Sequence, residues 1–314
     1  MTDISTGATA TGVVVGVDGT PASINAARYA RAEAARLDEP LRIVHVLPDY
    51  APMAIQMVPV AEINEGGRQV LRSVGAALEA AESPASERAV PVKKVLRRGS
   101  RVASLVADAR AARLLVVGAD RRAIAQRLLT GNTSTGVAAS SVAPVVSVPE
   151  TWTPAEHGVV LAGVKRPGRS TDLLAEAFAV ARARGARLLV VHAWRLPSEY
   201  DDVIASRIAV DEWDARAHAE LEAAVADWRA SYPDVEVELR VVHDQPAHAL
   251  VEASAQVDEL VLVRRARGFP AAAHLGSTAR TVLRQAHCPV RVVPPGHAAE
   301  VAGLVLEDAG GMRK

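Results

Sequence analysis

The chain has 314 residues, with 36 Lys+Arg against 36 Asp+Glu, 49% hydrophobic residues and 23% charged ones. That length fits two domains, each able to bury a core, and the proportions are those of folded chains, not disordered ones. The balanced charge gives none of the net positive field that non-specific nucleic-acid and membrane-surface binders use, 3% aromatics leave few platforms for stacking bases, and the single cysteine, Cys288, can close no internal disulfide and build no cysteine zinc site.

In chain order, short apolar runs alternate with longer helical patterns. Strands are expected at Val13–Val17, Leu41–Val46, Val90–Leu96, Leu114–Val117 and Val145–Val148, and helices near Pro21–Leu37, Val60–Ala81, Val102–Ala111 and Thr133–Ser141. Thr20-Pro21 reads as an N-cap followed by proline at the first helical position. Strands follow again at Val159–Gly163, Leu188–His192, Val235–Val242, Leu260–Val263 and Val290–Val293. Continuous Val/Leu/Ile runs mark strands covered on both faces, and strand–helix alternation implies right-handed, doubly wound α/β sheets.

The second series repeats the first. Val13–Val17 and Leu41–His45 recur 147 positions later at Val160–Val164 and Leu188–His192; Leu105, Gly131 and Pro144 recur 145 positions later at Leu250, Gly276 and Pro289. An offset that holds and then changes once by two residues is the mark of a duplicated domain with one shortened loop. The expected organisation is a domain over 1–150, a linker over 151–157, a second domain over 158–296 and a loosely held tail over 297–314. Each domain is expected to be a mostly parallel, five-stranded, Rossmann-like α/β sheet.

Ligands of open α/β sheets bind beyond the carboxyl ends of the strands, where glycine turns and helix N-termini gather. Gly16-Val17-Asp18-Gly19-Thr20 ends the first strand with a carboxylate and small residues, Gly118-Ala119-Asp120-Arg121 ends the fourth, and Gly131-Asn132-Thr133-Ser134 opens the last helix. An N-terminus of the last kind suits phosphate.

On these residues the chain resembles a tandem universal stress protein over nearly all of both halves. ATP-binding members of that family carry G-x2-G-x9-G-[ST] after the fourth strand and an aspartate after the first. The resemblance implies an adenine nucleotide alpha hydrolase-like fold, with ATP, with or without Mg2+, in the first domain. Asp18 matches the aspartate and Val46 lies where the adenine would sit. Gly118 and Gly131 match the first and third glycines, and Thr133 and Ser134 follow in the phosphate turn. Arg121 stands where the second glycine belongs and Asn132 replaces the first Ser/Thr, so Arg121 either clamps phosphate or fills the pocket. In the second half Lys165 replaces the aspartate, Val263 and Ala266 replace the first two glycines, and Gly276-Ser277-Thr278 survives. Arg264, Arg265 and Arg267 make that mouth basic, and the domain is expected to be a degenerate partner.

The resemblance also implies that Val145–Val148 and Val290–Val293 pair, here between the two halves of one chain, which would cover an apolar edge. A homodimer of tandem chains and an unidentified protein partner are further expectations. Other features carry milder readings. His45 and His192 recur at the same strand end as structural residues. His243, Asp244 and His248 lack the spacing and third ligand of a metal site. The acids Asp201, Asp202, Asp211, Glu212 and Asp214 solvate a helix, and Cys288 packs as a small apolar group. Gly163-Val-Lys-Arg-Pro-Gly-Arg169-Ser170 nearly spells a P-loop, with Arg169 in place of its lysine. Met1–Ala8 has neither the basic start nor the apolar core of a signal peptide, and the uncharged stretch from Leu128 to Pro149 is too broken by Gly and Pro for a membrane span. The expectation is therefore a cytoplasmic, non-enzymatic, nucleotide-responsive stress protein. A nucleotide-independent docking protein and a phosphotransferase using Gly163–Ser170 remain the alternatives.

Overall fold

The structure is a computed structural model that describes residues 12–49, 59–81, 89–119, 133–154, 157–195, 210–264 and 275–298. The chain divides into two compact units, Met1–Pro154 and Ala155–Lys314. In the first, β1 (Val13–Val17), β2 (Leu41–Leu47), β3 (Val92–Arg98), β4 (Leu114–Gly118) and β5 (Val145–Val148) lie in the order β3-β2-β1-β4-β5. The pairs given by β1 with β2 and β4, β2 with β3, and β4 with β5 are all parallel. Helices α1 (Pro21–Leu37), α2 (Val60–Glu79), α3 (Arg101–Asp108) and α4 (Thr133–Ser140) make the crossovers.

Side chains of a strand alternate between faces, so the valines of β1 serve two layers. Val13, Val15 and Val17 join Ala26, Ala30 and Tyr29 of α1 and Leu71, Val74 and Leu78 of α2 in one core. Val14, on the opposite face, is equally buried. The α1 start is as expected: Thr20 Oγ1 accepts the Ser23 N–H at 3.3 Å and Pro21 takes the first helical position. β3 differs from its expected bounds. Pro91 has no N–H for the ladder, its carbonyl accepts from Leu41 N–H, and the strand starts only at Val92. Lys93, Lys94, Arg97 and Arg98 then give a charged strand at the end of the sheet order, which guards that side against adventitious pairing. The expected linker also differs, because its first part belongs to the first unit. Asn25 Nδ2 donates to the carbonyls of Glu150 and Trp152, and the Trp152 ring meets Tyr29 edge-on at 5.6 Å.

The second unit repeats the order with β6 (Val159–Val164), β7 (Arg187–Trp194), β8 (Val237–His243), β9 (Glu259–Val263) and β10 (Val290–Val293), arranged β10-β9-β6-β7-β8. Its helices are α5 (Thr171–Arg184), α6 (Val210–Ser231), α7 (Pro246–Ala253) and α8 (Ser277–Gln285). Its core centres on Phe178, Leu173, Leu188 and Leu221. Cys288 is buried, as expected, and burial pushes its thiol pKa up.

This unit holds a buried charge network the sequence did not announce. Arg291 of β10 donates from Nε to Glu259 at 2.5 Å and from Nη1 to Glu176 at 2.7 Å, and Arg184 Nη2 reaches Glu259 at 2.5 Å. His297 Nε2 donates to Glu176 at 2.9 Å, while the Gly296 and Ala298 N–H groups donate to Asp172. The first residues of the expected loose tail are therefore tied to α5. Residues 299–314 lie outside the described ones.

Burial alone would raise the pKa of Glu176, but the His297 hydrogen bond and the Arg291 charge outweigh it and hold the value down to about 2. A folded value below the ordinary 4.5 means stability that is present above that pH and lost as pH falls from 4.5 towards 2. Urea midpoints measured from about pH 6 to about pH 3 should therefore fall in the wild type and fall less steeply in Glu176→Gln. Equal slopes would remove Glu176 from the acid response.

Candidate functional site

At the carboxyl ends of β1, β2 and β4 in the first unit lies a cavity of ≈ 270 Å³. Register builds its floor, since Gly16 stands opposite Val44 on one side and Val117 on the other, and all three line it. A Cβ at Gly16 would come within 2.8 Å of Leu105 from α3, so the glycine admits Leu105 beneath the strand end. Gly118 has a different reason to be glycine. A Cβ there would lie 2.8 Å from the backbone of Ala22, so this residue lets β4 close on the first turn of α1. Val46 and Ala119 add apolar wall, and Asp18, Thr20, Arg101, Thr133 and Glu150 add polar groups. Pro21 to Ser23, Arg101 and Thr133 bring the N-termini of α1, α3 and α4 to one place, each with its partial positive charge.

The turn after β1 is held from within. Gly19 has φ of +84°, a conformation that glycine adopts without penalty. The Thr20 N–H donates to Asp18 Oδ1 at 3.1 Å and the Thr20 hydroxyl donates to the same oxygen at 2.6 Å, while that hydroxyl accepts from Ser23. The end of β1 is fixed from β2, because His45 Nδ1 donates to the Val17 carbonyl at 2.7 Å. His192 makes the same bond to Val164 at 3.0 Å, so the repeated histidines are strand-end ties, as the sequence suggested.

Of the residues expected at the site, Gly16, Val17, Asp18, Thr20, Val46, Gly118 and Thr133 line the cavity. Gly19 shapes the turn beside it, and Ser134 is buried in α4. Arg121, Gly131 and Asn132 lie outside the described residues, as do Asp120, Arg265, Ala266 and Arg267. Val44, Ser23, Arg101, Leu105, Val117 and Glu150 line it without having been singled out. A turn of Gly99-Ser100 after β3, with Ser100 Oγ accepting the Ala103 N–H, is the sequence signal that could have pointed to Arg101.

The corresponding place in the second unit is fuller. A Cβ at Gly163 would meet Leu250 at 2.9 Å and Leu262 at 2.8 Å, where the first unit has Val117 at 3.4 Å from Gly16. Lys165 stands exposed in the position of Asp18. The near-P-loop forms a 3-10 turn at Pro167–Arg169, and the Ser170 hydroxyl is buried and donates to the Arg166 carbonyl at 2.7 Å. Ser170 occupies the cap position of α5, but its hydroxyl accepts no helix N–H.

His243 packs its ring 4.3 Å from Trp194, and His248 Nδ1 pairs with Asp244 at 2.6 Å. Asp214, expected only to solvate its helix, accepts Trp194 Nε1–H at 2.6 Å. Among the described residues no group of three His, Cys, Asp or Glu side chains is placed to hold a metal ion, and no helix is long and apolar enough to cross a membrane.

The model of the universal stress protein family matches this sequence twice, at residues 11–149 and 157–294. The chain belongs to that family. A universal stress protein of Mycobacterium tuberculosis is 32% identical over 288 residues, covering 90% of this chain and 96% of the relative. One from Mycolicibacterium smegmatis is 30% identical over 294 residues, covering 92% and 98%. Among solved structures, a universal stress protein from Archaeoglobus fulgidus has the same fold, with a TM-score of 0.65 at 17% identity over 91% of this chain and 97% of its own. The two-fold family match coincides with the internal repeat and with the two α/β units.

Proposed function

We propose that the first unit binds an adenine nucleotide, ATP or a related compound, and that the protein acts as a non-catalytic regulator whose nucleotide occupancy alters its contacts with a partner in the stress response. The observation that carries this reading is the cavity itself. Val44, Gly16 and Val117 give an apolar wall suited to a base, and residues from the first turns of three helices line the same cavity and suit phosphate. In this reading Asp18 and Thr20 at the end of β1 take the ribose hydroxyls and Thr133 at the start of α4 takes a phosphate oxygen, and all three line the cavity. The binding reading is confined to the first unit, because Leu262 and Lys165 take up the equivalent space and charge in the second. Hydrolysis should be slow, because in this reading Asp18 serves the ribose and not a water that would attack the phosphate.

Thermal and urea unfolding of the full chain with ATP, ADP, AMP and cyclic AMP tests the reading. A ligand at 100 times its dissociation constant should add about 2.7 kcal/mol to the stability of the unit that binds it. No shift with any of the four would overturn the proposal and leave a docking protein of the same fold.

A further inference from the structure

We propose that Arg101 is the residue that pairs with the ligand's phosphate, so that the cavity selects a phosphorylated adenine compound over the free nucleoside; this rests on the nucleotide reading above. Arg101 lines the cavity and is half-buried. Among the described residues it makes no hydrogen bond or ion pair, in contrast to its neighbours. Arg97 is held by Asp108 at 2.7 Å and 2.9 Å, Arg98 by Asn64 at 2.8 Å, and Arg42 by the Asp108 carbonyl at 3.3 Å.

Its position on α3 makes an unmatched cation more conspicuous. Arg101 is the first helical residue, where the helix dipole disfavours positive charge. The repeat supplies an internal control. Leu105 and Leu250 occupy the same place, each packed under the glycine of the neighbouring strand, so the residue corresponding to Arg101 is Pro246. Proline is a favoured residue at the start of a helix, and the second unit has it there. The first unit instead carries a cation against the dipole, in the unit whose strand-end glycine is less crowded. A bound anion would offset both the dipole and the partial desolvation of the guanidinium.

Direction and charge agree. Helical side chains lean towards the N-terminus, so with Leu105 at the floor, Arg101 projects one turn nearer the mouth. Asp18 and Glu150 line the same cavity and repel a phosphate, while Arg101 is the cation among its lining residues that attracts one. A planar guanidinium can hold two oxygens of one phosphate.

Calorimetric titration of the full-length wild type, Arg101→Gln and Arg101→Lys with ATP, AMP and adenosine tests this. Expected is tighter binding of ATP and AMP than of adenosine by the wild type. Arg101→Gln should lose at least about tenfold for both nucleotides and nothing for adenosine, with a flatter salt dependence for ATP, and Arg101→Lys should recover part of the loss. Unchanged nucleotide affinity in Arg101→Gln overturns the role of Arg101 while the nucleotide reading stands. Equal losses for adenosine and nucleotides assign Arg101 a structural role and also overturn it. A wild type that binds none of the three overturns the nucleotide reading, and this proposal with it.

Discussion

Asp18→Ala should remove between about half and nearly all of the stabilisation that ATP confers on the wild type. A hydrogen bond from a ligand hydroxyl to a carboxylate contributes about 1.5–3 kcal/mol, so its loss weakens binding by roughly 10- to 100-fold. At a ligand concentration 100 times the wild-type dissociation constant, a tenfold loss drops the added stability from about 2.7 to about 1.4 kcal/mol, and a 100-fold loss, which leaves the variant about half-occupied, drops it to about 0.4 kcal/mol. The unliganded protein should change far less. Asp18 is exposed, and it orients the Thr20 hydroxyl that caps α1. Losing that orientation costs at most a cap, about 1 kcal/mol. Asp18→Asn keeps an acceptor for the Thr20 N–H and should leave the unliganded melt near that of the wild type while still losing about half or more of the ATP response. Melts with and without ATP on the three proteins decide it. A full ATP shift in Asp18→Ala would remove Asp18 from the site.

The fold was legible where the chemistry of the strands is uniform. Runs such as Val13–Val17 and Val145–Val148 are buried on both faces, so hydrophobicity alone gave their bounds. It failed at β3, where Lys93, Lys94, Arg97 and Arg98 break any apolar run, and at β8, which begins at Val237 and not Val235. The site was legible in its glycines and in Asp18 because strand-end turns restrict residue type. Leu105, Val44 and Glu150 reach the cavity from other elements with no local pattern to mark them, and only the Gly99-Ser100 turn before α3 points to Arg101. Gly118 shows a second limit. The sequence singles it out as a phosphate-loop glycine, yet its nearest constraint is the Ala22 backbone, so one residue type answers a packing demand and a binding motif alike. Glu259 and Glu176 were invisible as a pair because their shared partner, Arg291, stands 32 and 115 residues away.

That network carries the largest expected effect on stability. In Glu259→Leu, Arg184 and Arg291 lose the carboxylate that both hold, in surroundings where the Glu259 side chain is 0% exposed and those of Arg184 and Arg291 are 11% and 6%. Removing one member of a buried ion pair costs about 3–5 kcal/mol, because the charge left behind is neither solvated nor matched. Arg291 retains Glu176 at 2.7 Å, and Arg184 loses its bond to Glu259. Removing that charge as well should then recover stability, since buried pairs are replaced by apolar residues of similar volume at little net cost. Arg184→Met with Glu259→Leu is expected to be more stable than Glu259→Leu alone, with a coupling energy of about 1–3 kcal/mol in the double-mutant cycle. Urea unfolding of the wild type, both single variants and the double variant measures it. Strictly additive losses would mean that the two side chains act independently and that the buried pair is not what holds α5 against β9.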